Sequence, residues 1–274
     1  MKEFYTQNFT HLEVTLKNQH QLWIKLNNPD QMNAITTDMI DSLVEVLTHA
    51  DFDKDIRVIV LSGAGKSFCA GGDIKAMEEK SGMFAGNSDE LRSRYEHGIQ
   101  QIPKCIEALS VPIVAMVNGA AVGAGCDLSM MCDLRIGSDS SKFAETFTRM
   151  GLVPGDGGTF FLQRVVGYSK ATQMFLTGKM FAGKEAFDFG LMNFYVGLDS
   201  NLVSETELVA NQICSQAPIA QKLTKKALKT SYKHDLATSL DMLASFQGIT
   251  QRTQDHFEAL KAFKEKRNPD FKSE

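Results

Sequence analysis

The sequence predicts an α/β fold with mostly parallel strand pairing. Short β-branched runs alternate with segments of helical spacing in the earlier part of the chain, and beyond Ser200 only helical spacing remains. The composition agrees: over 274 residues, 43% hydrophobic and 23% charged is the balance of a globular chain able to bury a sizeable core.

Leu12 to Leu16 and Leu22 to Leu26 alternate apolar and polar residues and read as two paired strands, closed by the loop Asn27-Asn28-Pro29-Asp30. Thr36 or Thr37 caps a helix whose Ile40, Leu43, Val44 and Leu47 recur at helical spacing. Ile56 to Leu61 is a buried strand that ends at Ser62-Gly63. A glycine-rich loop from Gly63 to Asp73, a polar segment from Lys80 to Asn87 and a helix from about Asp89 to Leu109 then lead to a strand at Ile113 to Val117. Leu134 to Gly137 and Phe194 to Val196 supply further short strands. The expected division is a core of residues 1–197 and a helical region of residues 198–274.

Several function classes are disfavoured. Lys and Arg total 29 against 33 Asp and Glu, a formal charge of −4, so no global basic field recruits nucleic acid. The five cysteines form no C-x-x-C pair and read as reduced thiols of a cytoplasmic protein, with neither a disulfide framework nor a metal site. No apolar run follows the first charged residues, so no secretory signal is expected. The apolar stretch from Val111 to Cys132 is long enough for a bilayer, but Pro112, several glycines and Asp127 argue for a buried strand, a turn and a helix instead. Gly63-Ala64-Gly65-Lys66-Ser67 fails as a phosphate loop because Val60 stands where its first glycine belongs. The dinucleotide fingerprint fails at Phe68, Leu128 and Phe160. Lys222, Lys225, Lys226, Lys229 and Lys233 recur at helical spacing and read as a solvated basic face.

Three segments carry the chemistry: Ser67-Phe68-Cys69-Ala70-Gly71-Gly72-Asp73-Ile74, Val117 through Asp127, and Gly151-Leu152-Val153-Pro154-Gly155-Asp156-Gly157-Gly158. Each alone is a tight turn. Together, two loops can each aim a backbone N–H at one oxygen, and Asp127 and Asp156 stand in apolar surroundings where an unpaired acid is costly. That combination suits stabilising an enolate-like oxyanion while moving a proton.

At these residues the sequence resembles the crotonase, or enoyl-CoA hydratase/isomerase, superfamily, from Asn28-Pro29-Asp30-Gln31-Met32-Asn33-Ala34 to the segment from Ala262 to Phe271. The resemblance implies a spiral of ββα units with a C-terminal helical trimerisation region, assembly as a homotrimer or a dimer of trimers, and an acyl-CoA substrate. CoA enters with the substrate, and no other cofactor is implied. The oxyanion donors fall on the backbone N–H groups of Gly72 and Ala124. Met32, Ala34, Ala70, Asp73, Ile74 and Lys75 fall in the CoA-holding segments, and Phe263 with Lys266 reaches the nucleotide of a neighbouring subunit. Hydratases of the family carry two catalytic glutamates. Here Asp127 occupies the first position and Phe147 the second, while Asp156 lies in a loop that lines the same cavity in relatives.

The expected function is therefore hydration or double-bond isomerisation of an enoyl-CoA by acid/base catalysis, with isomerisation favoured by Phe147. Thioester hydrolysis, decarboxylation or dehalogenation through a nucleophilic Asp remains open. So does a non-catalytic acyl-CoA or RNA binder.

Overall fold

The computed structural model describes residues 2–274. Strands β1 (Leu12–Lys17) and β2 (Gln21–Leu26) pair antiparallel, followed by helix α1 (Thr37–Phe52). The turn that closes this pair is Asn18-Gln19-His20, with Asn18 and Gln19 at positive φ. The loop at Asn27 to Asp30 follows β2 and runs into a short helical turn at Pro29–Gln31. Thr36 is the cap of α1, its side chain accepting from the Met39 N–H.

From here the chain repeats one unit. A strand joins a six-stranded sheet, the next joins a four-stranded sheet, and helical structure returns the chain. The first turn is β3 (Val58–Gly63), β4 (Ser67–Cys69), α2 (Ile74–Glu79), α3 (Ser88–His97) and α4 (Gln101–Ala108). The second is β5 (Ile113–Val117), β6 (Ala120–Val122) and α5 (Ala124–Met131). The third is β7 (Leu134–Gly137), β8 (Lys142–Ala144), α6 (Gly158–Val166) and α7 (Tyr168–Thr177). Strand β9 (Met180–Ala182), helix α8 (Gly183–Phe189) and strand β10 (Phe194–Tyr195) finish the two sheets, in orders β1-β2-β3-β5-β7-β10 and β4-β6-β8-β9. Helices α9 (Leu202–Cys214), α10 (Pro218–Ser231), α11 (Leu236–Thr250) and α12 (Gln254–Glu265) follow.

The parallel strands at the centre of the larger sheet are covered on both faces, which is why they read as continuous apolar runs. Ile59, Leu61, Ile113, Ala115 and Val117 face the main core, while Val58, Val60, Val114 and Met116 pack with Leu202, Val209 and Ala210 of α9. The span expected as one helix from Asp89 to Leu109 is two. The Gly98 N–H closes α3 on the Arg94 carbonyl, and α4 restarts at Gln101. No helix is long and apolar enough to cross a membrane among the described residues.

The lysine stripe is only in part a solvated face: Lys226 and Lys233 are exposed, but Lys225 and Lys229 turn inward. The buried Lys225 ammonium donates to the Val111 carbonyl at 2.8 Å and to Asp133 at 2.6 Å. Lys229 donates to the Ile106 and Glu107 carbonyls at the end of α4, where a cation is favoured by the exposed carbonyls and the helix dipole. Lys225 and Lys229 fasten α10 to the core.

Candidate active site

Three chain segments converge on one cleft, lined among others by Ala70, Gly71, Gly72, Ile74, Met77, Phe84, Tyr95, Ala124, Phe147 and Asp156. The first wall begins at the Met32–Asn33 turn, where both residues have positive φ. The buried Asn33 amide donates to the Ala64 and Ser67 carbonyls, both at 2.9 Å, and so pins that turn to the chain around β4. The Ala70 N–H then donates to the Met32 carbonyl and the Ile35 N–H to the Gly71 carbonyl, and Asp73 caps α2 through the Ala76 N–H. Met32, Ala34, Ala70, Gly72, Asp73, Ile74 and Lys75 therefore belong to one wall, with Met32, Ile74 and Lys75 exposed and Ala34 buried beneath them.

The second wall is the N-terminus of α5. Gly125 lies so close to the Cys69 carbonyl that a Cβ would overlap it, so α5 packs directly on the exit of β4. Gly123 turns the chain at φ +54, its N–H bound by the Ala144 carbonyl, and this leaves the Ala124 N–H at the helix start. A Cβ placed on Gly71 would sit 3.4 Å from the Ala124 nitrogen, so the two glycine loops meet. Neither the Gly72 nor the Ala124 N–H donates to another group among the described residues.

The third wall is the loop carrying Asp156. Gly157 adopts φ +109 at its end, the Gln100 amide donates to the Gly155 carbonyl at 2.8 Å, and the Tyr95 ring fills the space beside Gly155. Asp156 lines the cleft. Asp127 does not: it is fully buried behind the cleft wall, its carboxyl resting on Gly158. Phe147 lines the cleft at the start of a short helical turn. Phe263 is exposed on α12 and Lys266 caps that helix, and neither lines the cleft of this chain.

The sequence reading missed Glu145. It directly follows β8, is fully buried, and stands beside Asp127 and within the field of Asp156. No ion pair of Lys, Arg or His reaches any of the three carboxyls among the described residues. Nor do described residues form a metal-binding cluster. Burial, reinforced by mutual repulsion, holds the Asp127 carboxyl well above the usual carboxylate range. Burial pushes Glu145 up to about 8 and raises Asp156 as well, although contact with Asp127 draws both down. The neighbouring thiols are inert: burial pushes Cys69 up to about 12 and Cys126 well above its ordinary value.

A spiral of strand–strand–helix turns around such a cleft is the architecture of the crotonase superfamily. The structure superposes on enoyl-CoA hydratase from Bacillus anthracis with a TM-score of 0.90, at 33% identity, covering 97% of this chain and 100% of that one. Residues 17–274 match the family model for enoyl-CoA hydratase/isomerase, and the chain belongs to that family. It is 35% identical over 245 residues to a short-chain-enoyl-CoA hydratase from Clostridium acetobutylicum, covering 89% of this chain and 91% of the relative. It is also 31% identical over 248 residues to 1,2-epoxyphenylacetyl-CoA isomerase from Escherichia coli, covering 90% and 93%. Both types of chemistry thus occur among its relatives.

Proposed function

We propose that this protein is an enoyl-CoA isomerase that moves a double bond by proton transfer, with Asp156 as the base. The observation that carries this reading is the lining of the cleft: among the described residues Asp156 is the only carboxyl group in it, the Asp73 carboxylate of the first wall being taken up as the cap of α2, and Phe147 is an apolar part of the same lining. One carboxylate suffices to take a proton from C2 of a 3-enoyl thioester and return it at C4, giving the 2-enoyl thioester. Hydration must also hold and activate water, and an apolar ring offers water no acceptor. The Gly72 and Ala124 N–H groups are the donors for the thioester oxygen as negative charge develops on it. The chemistry calls for no cofactor beyond the CoA carried by the substrate.

The test is to follow 3-enoyl-CoA and 2-enoyl-CoA separately. Isomerisation is expected to dominate, and Asp156→Asn to lower it by about 10²–10⁴-fold. Efficient hydration of 2-enoyl-CoA by the wild type, unaffected by Asp156→Asn, overturns the assignment.

The same reading includes assembly as a homotrimer or a dimer of trimers. It is supported by apolar side chains that α10, α11 and α12 leave exposed, among them Leu228, Leu236, Leu240, Phe257 and Phe263. Light scattering at micromolar concentration checks it, and a monomer refutes it.

A further inference from the structure

Behind Asp156 the acids continue inward. Asp127 touches Asp156 on one side and Glu145 on the other, and the Cys126 thiol also reaches Glu145. As ionised carboxylates these groups could only accept hydrogen bonds, yet among the described residues both oxygens of Asp127, both of Glu145 and Asp156 Oδ1 are buried with no donor beyond the weak Cys126 thiol beside Glu145. The groups that face the cluster are the Cys126 thiol from α5, and the Cys69 thiol and Tyr95 hydroxyl near Asp156, with no cation among the described residues. Carboxylates packed together away from water and without a cation repel one another strongly, so the cluster must keep protons. Protons also supply the missing donors.

We propose that Glu145 is a positioning residue for the base: as a neutral acid it donates to Asp127, which turns the Asp127 hydroxyl toward Asp156 and leaves the cluster's negative charge at the cleft. This rests on Asp156 being the base. Once Glu145 ionises, it becomes an acceptor and competes with Asp156 for the single Asp127 proton. Asp156 then loses its donor beside a second negative charge, and turnover falls. Burial places that ionisation of Glu145 at about 8.

The experiment combines infrared titration with pH–rate profiles on the full-length protein. A protonated-carboxyl band absent from Glu145→Gln should be present in the wild type at neutral pH and disappear near pH 8, together with an alkaline fall in kcat. Glu145→Leu, which cannot donate, should lose roughly 10–100-fold in kcat, by analogy with partners that orient metal ligands. Glu145→Gln, which donates through its amide without titrating, should restore most of that loss and abolish the alkaline limb. An ionised Glu145 at neutral pH, or a folded Glu145→Leu protein with the wild-type profile, overturns the inference even if Asp156→Asn is inactive. An active Asp156→Asn protein instead overturns the assignment of the base, while the infrared band still reports the Glu145 proton.

Discussion

The Asp127 carboxyl lies directly against Gly158, the first residue of α6, with no space between them for a methyl group. A glycine at this point is what allows the buried acid of α5 to sit between Asp156 and Glu145.

Gly158→Ala should therefore force Asp127 or the start of α6 to move. A loss of about 1–3 kcal/mol is expected from overpacking, measured by urea denaturation. Combining it with Asp127→Ala should recover part of the loss, because the clash disappears. Equal stability of Gly158→Ala and wild type would show that the contact is loose.

Donation to the thioester oxygen is assigned to main chain, so proline is the informative change. Gly72→Pro removes one N–H and is expected to cost about 2.7–4 kcal/mol of transition-state stabilisation, read from kcat/KM of a variant shown to be folded by circular dichroism. Ala124→Gly keeps its donor and should have a mild effect. Full turnover by Gly72→Pro would remove this amide from the mechanism.

Phe147 is the side chain that sets this cleft apart from one with paired acids. Phe147→Glu introduces an acceptor for water and should raise the ratio of hydration to isomerisation. Product analysis after incubation with 2-enoyl-CoA reads the change, and an unaltered ratio would mean that Phe147 does not face the reacting carbons.

The buried acids also predict how stability varies with pH. The Glu145 carboxyl keeps its proton to about 8 in the folded chain, whereas an ordinary glutamate in the unfolded chain releases it at about 4.5. Between these values the unfolded state binds fewer protons, so this group makes stability fall as pH rises, and the fall ends above about 8. Glu145→Gln should flatten that dependence and be the more stable protein near neutral pH. Denaturant midpoints across pH 5 to 9 check this, and a slope unchanged by the substitution contradicts it.

The long elements were legible because their apolar pattern has room to repeat. Thr36 with Ile40, Leu43 and Leu47 announces α1, and the unbroken runs at Val58 and Ile113 announce strands covered on both faces. Strands β4, β6, β8 and β9 have three residues each, too few to display a period. The whole smaller sheet was therefore hidden, including β8, whose end delivers Glu145. The two glycine loops and Asp156 stood out as turns with an acid in apolar company. Glu145 lacked such a frame, since it follows a short strand and its partner Asp127 lies eighteen residues earlier. The lysines of α10 misled for a related reason: spacing marks a face, but only packing shows that the face is turned to backbone carbonyls.

Ionic strength sorts the charged contacts of this molecule into two populations. Exposed pairs such as Lys75 with Glu79 and Lys184 with Asp188 stand in solvent, where dissolved ions screen them. Lys225 instead meets the Val111 carbonyl and Asp133 beneath the surface, where counterions have little access. Concentrated salt thus weakens the outer pairs while α10 stays seated on the core.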